Sequence, residues 1–378
     1  MPIRLTRKQF LALGPALALA GCGAPASGPE AADSLGTPEP LALDYAQQFT
    51  AARYANGCTL IALPADEARF LVVPEGVAAP DPVPEGATLL QQPIQNIYLV
   101  ATSAMDLFLA LEGLDSIALS GTRSSGWYLP QAAQAMEEGR IAYAGKYSAP
   151  DYERILNTGC GLALESTMIW HTPEVKEQLE RFGIPVLVER SSYESSPLGR
   201  MEWIKLYGIL LGKEDLAQQV FQAQVEQIAP LLDLPASGKR CAFFSLTASG
   251  LATVRKGGDY IAQMIEMAGG SYVFAHLTDG GSSLSTINLP LEDFYAGARD
   301  ADVLIYNSTI EGTVASTQEL VAKCPMLADF RAVQQGQVWC TSPGLFQQSM
   351  ELAQFITQLH QVFTQPHPAG LQMLTPVP

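Results

Sequence analysis

Apolar and polar positions between residues 95 and 189 alternate between a period typical of strands and one typical of helices. "QNIYLVATSAMDLFLALEGLDSIALSG" (95–121) predicts a strand, a helix and a second strand, and "DYERILNTGCGLALES" (151–166) predicts a helix and then a strand. "TPEVKEQLERFGIPVLVE" (172–189) repeats that order, with Thr-Pro at the helix start and a glycine where the helix ends. Strands that alternate with helices predict open, mostly parallel α/β sheets.

The alternation restarts after residue 236. "CAFFSL" and "LATVRK" predict strands, "YIAQMIEMAGG" predicts a helix, and "SMELAQFITQLHQVF" predicts a closing amphipathic helix. Residues 197–235 carry the longest helical pattern, with a bend expected near Gly212 and Lys213. A chain of 378 residues is also too long for one ordinary core. We therefore predict an α/β fold of two lobes, residues 46–196 and 236–378, joined by a single long helix over 197–235.

The N-terminus has a different pattern. Three cationic residues within the first eight precede an apolar run of about a dozen residues, which is the length of a signal-peptide core and too short to cross a membrane. "LAGC" (19–22) follows and resembles the lipobox of bacterial lipoproteins, in which the chain is cut before the cysteine and the cysteine is lipidated. We expect residues 1–21 to be a lipoprotein signal peptide and Cys22 to carry the lipid. The alternative is that Cys22 merely falls at the end of an apolar run.

The stretch after the lipobox is rich in Gly, Pro and Ala and lacks hydrophobic periodicity, so we expect residues 22–45 to be a flexible tether. The sequence thus predicts export, with the folded part anchored to the outer face of the cell membrane. The 22 Lys+Arg against 38 Asp+Glu, with no basic run, argue against nucleic acid as a partner. Five cysteines remain besides Cys22, and none has the CxxC spacing of a zinc or redox site.

The common catalytic motifs are missing from the sequence. It contains no GxSxG, HExxH, P-loop or GxGxxG pattern, and its four histidines form no HxH or HxxxH pair. We therefore assign no catalytic and no metal-ligating residue. An exported enzyme and a surface lipoprotein that engages another protein remain the alternatives to a binding protein at this point.

Several stretches together resemble one known family. They are the lipobox, "PIQNIYLVATSAMDLFLALEGLDSIALSG", "YERILNTGCGLAL", "LERFGIPVLV" and "PLGRMEWIKLYGILLGK". Over residues 90–365 the chain resembles the iron-siderophore and cobalamin substrate-binding lipoproteins of ABC importers. The resemblance implies a ligand cleft between the lobes, no cofactor, and delivery of a small metal chelate to an importer permease. A ferric siderophore is the first ligand implied, with cobalamin or another corrinoid and haem as alternatives. We expect a monomer.

Members of this family dock on the permease through a glutamate on each lobe, which pairs with permease arginines. Matched by position, Glu153 and Glu292 are the docking candidates, with Asp293 as an alternative to Glu292. Two well-separated carboxylates on rigid lobes can find complementary cations and set the orientation of a complex. An acidic residue in a first helical turn is also favoured by the helix dipole alone, so that local explanation stays open.

Loops that follow predicted strands carry the candidate ligand contacts, because ligands of open α/β sheets bind at the carboxyl ends of strands. Aromatic side chains there offer flat contact area to a planar or chelated ligand, and cationic side chains can pair with the negative charge of that ligand. The ligand-binding candidates are Trp127, Tyr128, Tyr147, Tyr193, Arg200, Trp203, Arg255 and Tyr260. Three further residues of these loops have local explanations. Trp170 can be a core residue, His171 can be the polar residue before a helix cap, and His276 can be a solvent-facing loop residue.

The stretch 197–213 opens the connecting helix with a cation, a carboxylate and an indole. Arg200 and Trp203 are three residues apart and share a helix face, where the guanidinium can lie against the indole. We expect this pair to face the ligand. Glu202 and Lys205 lie on a neighbouring face and are expected to form an ordinary surface pair.

Overall fold

The computed structural model describes residues 35–278 and 285–378. The predicted signal peptide, Cys22 and the first part of the predicted tether lie outside the described residues. Within these ranges the chain forms an N-terminal sheet, two α/β lobes and a helical connection between the lobes. No helix in this part of the chain is long and apolar enough to cross a membrane.

A five-stranded sheet precedes the first lobe. Its strands are β1 (Glu39–Pro40), β2 (Thr50–Arg53), β3 (Thr59–Leu63), β4 (Ala68–Val73) and β5 (Ala87–Gln91). They lie in sequence order, and every neighbouring pair is antiparallel except β4–β5. Residues 39–45 therefore belong to the fold, which corrects the predicted tether boundary at residue 45. The physical reason is that β1 pairs with β2 and that buried apolar residues such as Phe49 and Ile61 hold this sheet against the rest of the core.

The N-terminal lobe is built on a parallel sheet, as predicted. Its strands are β6 (Ile97–Leu99), β7 (Ile117–Ser120), β8 (Ala142–Tyr143), β11 (Ala163–Ser166) and β12 (Val186–Glu189), and a small hairpin of β9 (Gly145–Lys146) and β10 (Ala149–Pro150) lies apart from them. The strand order is β12-β11-β6-β7-β8. The helices of the lobe are α1 (Ala104–Ala110), α2 (Pro130–Glu137), α3 (Tyr152–Asn157) and α4 (Pro173–Arg181).

Three helices connect the lobes: α5 (Pro197–Glu202), α6 (Ile204–Leu211) and α7 (Glu214–Leu232). This corrects the prediction of a single long helix over 197–235. The break between α6 and α7 falls where the bend was predicted, because Gly212 is left-handed at φ +66°. The N–H of Lys213 then returns to the Gly208 carbonyl at 2.8 Å, as in a Schellman cap.

The C-terminal lobe holds a seven-stranded mixed sheet. Its strands are β13 (Arg240–Leu246), β14 (Ala252–Arg255), β15 (Ser271–Tyr272), β16 (Thr286–Leu289), β17 (Val303–Tyr306), β18 (Val338–Thr341) and β19 (Leu374–Pro376). The order is β16-β14-β13-β17-β18-β19, with β15 beside the start of β13. The central β13, β17 and β18 are parallel, and β14, β16 and β19 are antiparallel. The helices are α8 (Tyr260–Met267), α9 (Leu291–Ala298), α10 (Ser308–Glu311), α11 (Thr317–Lys323), α12 (Arg331–Gln334) and α13 (Leu352–Thr364).

The main hydrophobic core runs from the N-terminal sheet through the connection into both lobes. Six of the eight residues of α6 are buried, so this helix is apolar on most of its sides. Because α5 and α6 are buried and α7 packs one face against the same core, the core itself fixes how the lobes are placed.

Candidate ligand-binding cleft

The two lobes meet along loops, and a cavity of about 240 Å³ lies between the loop after β12 and the loop after β14. Residues 192–195 form the wall from the N-terminal lobe. Lys256, Gly258 and Asp259, together with residues 277, 278 and 285, form the wall from the C-terminal lobe. The cavity therefore lies where the sequence predicted a ligand, between the lobes and against loops that follow strands.

The predicted ligand contact Tyr193 lines this cavity. The guanidinium of Arg190 lies over its ring, 4.7 Å from the centroid, and pairs with Asp66 at 2.9 Å. Glu194 also lines the cavity. Sequence reasoning missed Glu194, because a lone glutamate in a loop carries no signal that it will be buried.

On the opposite wall, Arg255 and Asp259 form a buried pair. An Nη1 to Oδ2 distance of 3.5 Å joins them, and the Arg255 guanidinium lies 4.7 Å from the centroid of the Phe346 ring. Asp259 caps α8 by accepting a 2.8 Å hydrogen bond from the N–H of Ile261. Burial raises the pKa of Asp259, and the nearby guanidinium of Arg255 opposes that rise. The predicted contact Arg255 is thus beside the cavity, fixed by an acid and an aromatic ring.

Arg200 reaches across from α5 to the C-terminal lobe. Its guanidinium lies 4.7 Å from the centroid of the Tyr260 ring, so the structure brings these two predicted contacts together, next to Asp259 of the cavity wall. Arg200 is 3% exposed, and its Nε and Nη1 have no hydrogen-bond partner among the described residues. The hydroxyl of Tyr207, on the next helix, is buried and likewise without a partner in that part of the chain. The positive charge of Arg200 also opposes the rise in the pKa of Asp259, so the guanidinium lies close enough to the cavity wall to act on a charged group there.

The other half of the predicted pair is in the core. Trp203 is fully buried, its Nε1 donates a 2.9 Å hydrogen bond to Glu194, and its ring lies edge-on to Phe49 at a centroid distance of 5.1 Å. This corrects the expectation that Trp203 faces a ligand. Sharing a helix face with Arg200 was not sufficient, because the N-terminal sheet covers the indole.

Glu202 corrects a second expectation, since it is not an ordinary surface residue. Its side chain is fully buried and accepts hydrogen bonds of 2.7 to 2.9 Å from the backbone N–H groups of residues 44, 45 and 46. Lys205 does pair with it, at 2.6 Å. The carboxylate therefore attaches the start of the connection to the N-terminal sheet.

Trp127 and Tyr128 lie at a second meeting point of the lobes. The side chain of Gln347 spans the junction: its Oε1 accepts from the N–H of Tyr128 and its Nε2 donates to the Gly126 carbonyl, both at 2.8 Å. A Cβ built on Gly344 would lie only 2.7 Å from the Tyr128 Cβ, so the two chains touch closely here. Tyr128 is 54% exposed, whereas Trp127 is buried.

A third contact between the lobes joins α1 to the turn before α13. Asp106 accepts a 2.7 Å hydrogen bond from the N–H of Met350, and Ser349 donates a 2.8 Å hydrogen bond to the Ser103 carbonyl. Burial raises the pKa of Asp106 to about 6. No sequence pattern pointed to this contact, because its partners are more than 240 residues apart.

Tyr147 is, like Trp127, Tyr128 and Trp203, a predicted contact that does not line the cavity. It is half-buried in the turn between β9 and β10. Trp170 is largely exposed beside Lys176, and His171 and His276 are exposed. Within residues 35–278 and 285–378, no group of three His, Cys, Asp or Glu side chains could hold a metal ion.

The two docking candidates occupy equivalent positions on different lobes. Glu153 is in the first turn of α3 and Glu292 is in the first turn of α9. Both are exposed, as is Asp293 beside Glu292. The structure thus leaves these carboxylates accessible to another protein, and their docking role stays a prediction.

The family of the chain follows from a comparison of its sequence with known protein families. The sequence model of the family described as periplasmic binding protein matches residues 99–343, from the end of β6 to the loop after β18. The chain belongs to the periplasmic binding protein family. The matched region contains the connection and most of both lobes of this binding protein, the N-terminal sheet lies before it, and α13 and β19 lie after it.

Curated relatives of this periplasmic binding protein include two uncharacterised lipoproteins of Methanocaldococcus jannaschii. They are 22% and 23% identical to it over 290 residues. The alignments cover 71% and 74% of this chain and 66% and 71% of the relatives, so the chain spans about two thirds of their length. Family and relatives together identify an exported, extracytoplasmic class of protein.

Solved structures share the fold. A periplasmic heme-binding protein, HutB of Vibrio cholerae, aligns with a TM-score of 0.58 at 19% identity and covers 70% of this chain and 98% of its own. An ABC-type Fe3+-hydroxamate transport system from Saccharomonospora viridis aligns with a TM-score of 0.54 at 20% identity and covers 72% and 94%. The family itself is described as one of binding proteins, in agreement with the expectation that the chain is not an enzyme.

Proposed function

We propose that this protein captures a small anionic metal chelate between its lobes and delivers it to the permease of an ABC importer. The observation that carries the proposal is the 240 Å³ cavity with walls from both lobes, Tyr193 and Glu194 on one side and Lys256 and Asp259 on the other. A ligand held there contacts both lobes at once, so its binding favours the arrangement in which they lie close together.

Three buried cations at or next to the cavity support an anionic ligand. Lys256 lines the cavity and Arg255 and Arg200 lie behind it, and each of the three is less than 10% exposed. They outnumber the two buried carboxylates of the lining, Glu194 and Asp259, although the chain as a whole has a net charge of −16. Arg200 Nε and Nη1 have no hydrogen-bond acceptor among the described residues, and an anionic group on a ligand can supply one.

A ferric siderophore is the first ligand that we propose, and a corrinoid and haem are the alternatives. The names of similar structures support this range, since one is a heme-binding protein and another belongs to Fe3+-hydroxamate transport. Tyr193 at the cavity and Tyr128 at the second meeting point of the lobes offer aromatic faces to a planar or chelated ligand.

Delivery requires the protein to stay beside its permease. We propose that lipid on Cys22 anchors it to the outer face of the membrane and that Glu153 and Glu292 pair with permease arginines. The substitution Cys22→Ser tests the anchor. The variant should be recovered from the medium or the soluble extracytoplasmic fraction, whereas the parent protein stays with the membranes; a variant that remains with the membranes would contradict the anchor.

The ligand is tested by purifying the protein from its own host and recording its absorption spectrum and native mass. Titration of ligand-free protein with a ferric hydroxamate, ferric citrate, haemin and cyanocobalamin, followed by tryptophan fluorescence, should give saturable binding of one of them. Arg200→Ala should weaken that binding by at least about tenfold, the effect of losing one charge-assisted hydrogen bond. The exposed Arg140 provides the matched control, Arg140→Ala. Absence of saturable binding by all four probes would contradict the proposal.

A further inference from the structure

The N-terminal sheet, which lies before the family-matched region, holds one wall of the cavity. That wall is residues 190–195, called the cavity loop here, of which residues 192–195 line the cavity. The cavity loop contacts the N-terminal sheet at both of its ends. The contacts are made by two buried or nearly buried ionic side chains, Arg190 and Glu194.

Arg190 attaches the first end of the cavity loop. Its Nη1 lies 2.9 Å from Oδ1 of Asp66, which follows β3, and its Nε donates to the Gln48 side chain at 3.3 Å. The side chains of Arg190 and Asp66 are 13% and 5% exposed. Because the same guanidinium packs on the ring of Tyr193, the attachment extends to a side chain that lines the cavity.

Glu194 attaches the other end. Its carboxylate accepts hydrogen bonds from the backbone N–H groups of Gln47 and Gln48, each at 2.9 Å, and from Nε1 of Trp203 at 2.9 Å. Hydrogen bonds to an ionised acceptor are shorter and about twice as strong as neutral ones. A buried carboxylate with three such donors is held in one position.

The same backbone segment continues to Glu202. The N–H groups of residues 44–46 bind Glu202 and those of 47 and 48 bind Glu194, so five successive amides of segment 44–48 are bound to two buried carboxylates. Gly199 permits this close approach, since a Cβ there would lie 2.8 Å from the Tyr45 carbonyl oxygen and 3.2 Å from the Glu194 carboxylate.

We propose that segment 44–48 and Asp66 position the cavity loop, so that the N-terminal sheet sets the shape of the ligand cavity. These residues are positioning residues, since neither segment 44–48 nor Asp66 lines the cavity. The proposed positioning of the cavity loop concerns the ligand-free protein and does not depend on any ligand. Its consequence for ligand affinity rests on the proposed function.

Hydrogen exchange of the ligand-free protein tests the positioning directly. Asp66→Ala should speed amide exchange in residues 191–196 by roughly tenfold, because losing a charge-assisted contact lowers the local opening free energy. Asp66→Asn keeps an acceptor for Arg190 and should restore most of the protection. Arg53→Ala is the matched control, since the Arg53–Glu214 pair, at 2.6 Å, also joins the sheet to the connection but does not touch the cavity loop.

Gly199→Ala and Gln48→Ala test the same proposal independently and keep it testable if Asp66→Ala does not fold. Gly199→Ala pushes segment 44–48 away without changing a charge, and Gln48→Ala removes one acceptor of Arg190. Both should speed exchange in 191–196 more than Arg53→Ala does. Exchange within twofold of the parent in these variants would overturn the proposal. If exchange speeds up and the affinity for the best of the four chelate probes stays the same, the cavity loop is positioned as proposed but does not contact that ligand.

Discussion

The carboxylate of Asp106, in the N-terminal lobe, accepts a 2.7 Å hydrogen bond from the backbone N–H of Met350, in the C-terminal lobe. Met350 lies in the turn that leads into α13, so a side chain of one lobe binds the backbone that precedes the closing helix of the other. The two lobes are therefore joined by a buried polar contact in addition to the connecting helices.

Asp106→Asn should change the pH dependence of stability in a defined direction. The pKa of Asp106 is raised from 3.8 to about 6, so its contribution is fully present below pH 3.8 and is lost as the pH rises through 6. Asparagine keeps an acceptor for Met350 and does not ionise, so the variant should be more stable than the parent at pH 7 by about 3 kcal/mol. Urea unfolding of both proteins from pH 4 to pH 8 measures this difference, which should vanish at the acidic end.

Glu165 gives a second pH prediction. It is fully buried on β11, both of its carboxyl oxygens lack a partner among the described residues, and burial raises its pKa to about 8. Its contribution to stability is thus fully present below pH 4.5 and is lost as the pH rises through 8. Glu165→Gln removes this loss and should be more stable than the parent at pH 9 by roughly 5 kcal/mol.

The control for Glu165 is Glu180→Gln, at a half-exposed position on α4. It should alter the free energy of unfolding by less than about 0.5 kcal/mol. If Glu165→Gln behaves like this control at pH 9, Glu165 has a partner or solvent access that the fold does not show.

Gln347 should hold the lobes together at the junction near Tyr128. Gln347→Ala removes both 2.8 Å hydrogen bonds that cross the junction, to Gly126 and from Tyr128. We expect a larger mean distance between spin labels placed on α2 and α11, measured by electron paramagnetic resonance, and about 1 kcal/mol less stability per lost bond. Gln354→Ala is the matched control, because its bond to Gln372 lies within the C-terminal lobe. Equal distances in the two variants would rule out a clamping role for Gln347.

Docking is predicted to depend on two carboxylates that do not touch the cavity. The double variant Glu153→Ala, Glu292→Ala should bind its chelate with unchanged affinity and support no uptake in cells, because steering and orientation by paired charges would be lost. Radiolabelled uptake and titration of the purified variant separate the two effects. Uptake at the parent rate would show that the permease recognises other residues.

The sequence determined the fold class, because the fold class depends on local periodicity. The alternation of strands and helices over 95–189 predicted a parallel sheet, and Gly212 predicted the bend in the connection. Of the loops predicted to face the cleft, the loop after β12 lines the cavity through Tyr193. The three-residue spacing of Arg200 and Trp203 predicted that the guanidinium stacks on the indole, whereas the guanidinium packs on the ring of Tyr260 in the C-terminal lobe.

Only the tertiary structure decided which polar residues of 197–213 are exposed. Trp203 and Glu202 looked like a ligand contact and a surface residue, yet both are fully buried under the N-terminal sheet. The reason is that their partners, Phe49 and the amides of 44–46, are more than 150 residues away in sequence, and no local pattern records such a contact. Local periodicity determines elements, whereas burial of a charge is determined by what the rest of the chain packs against it.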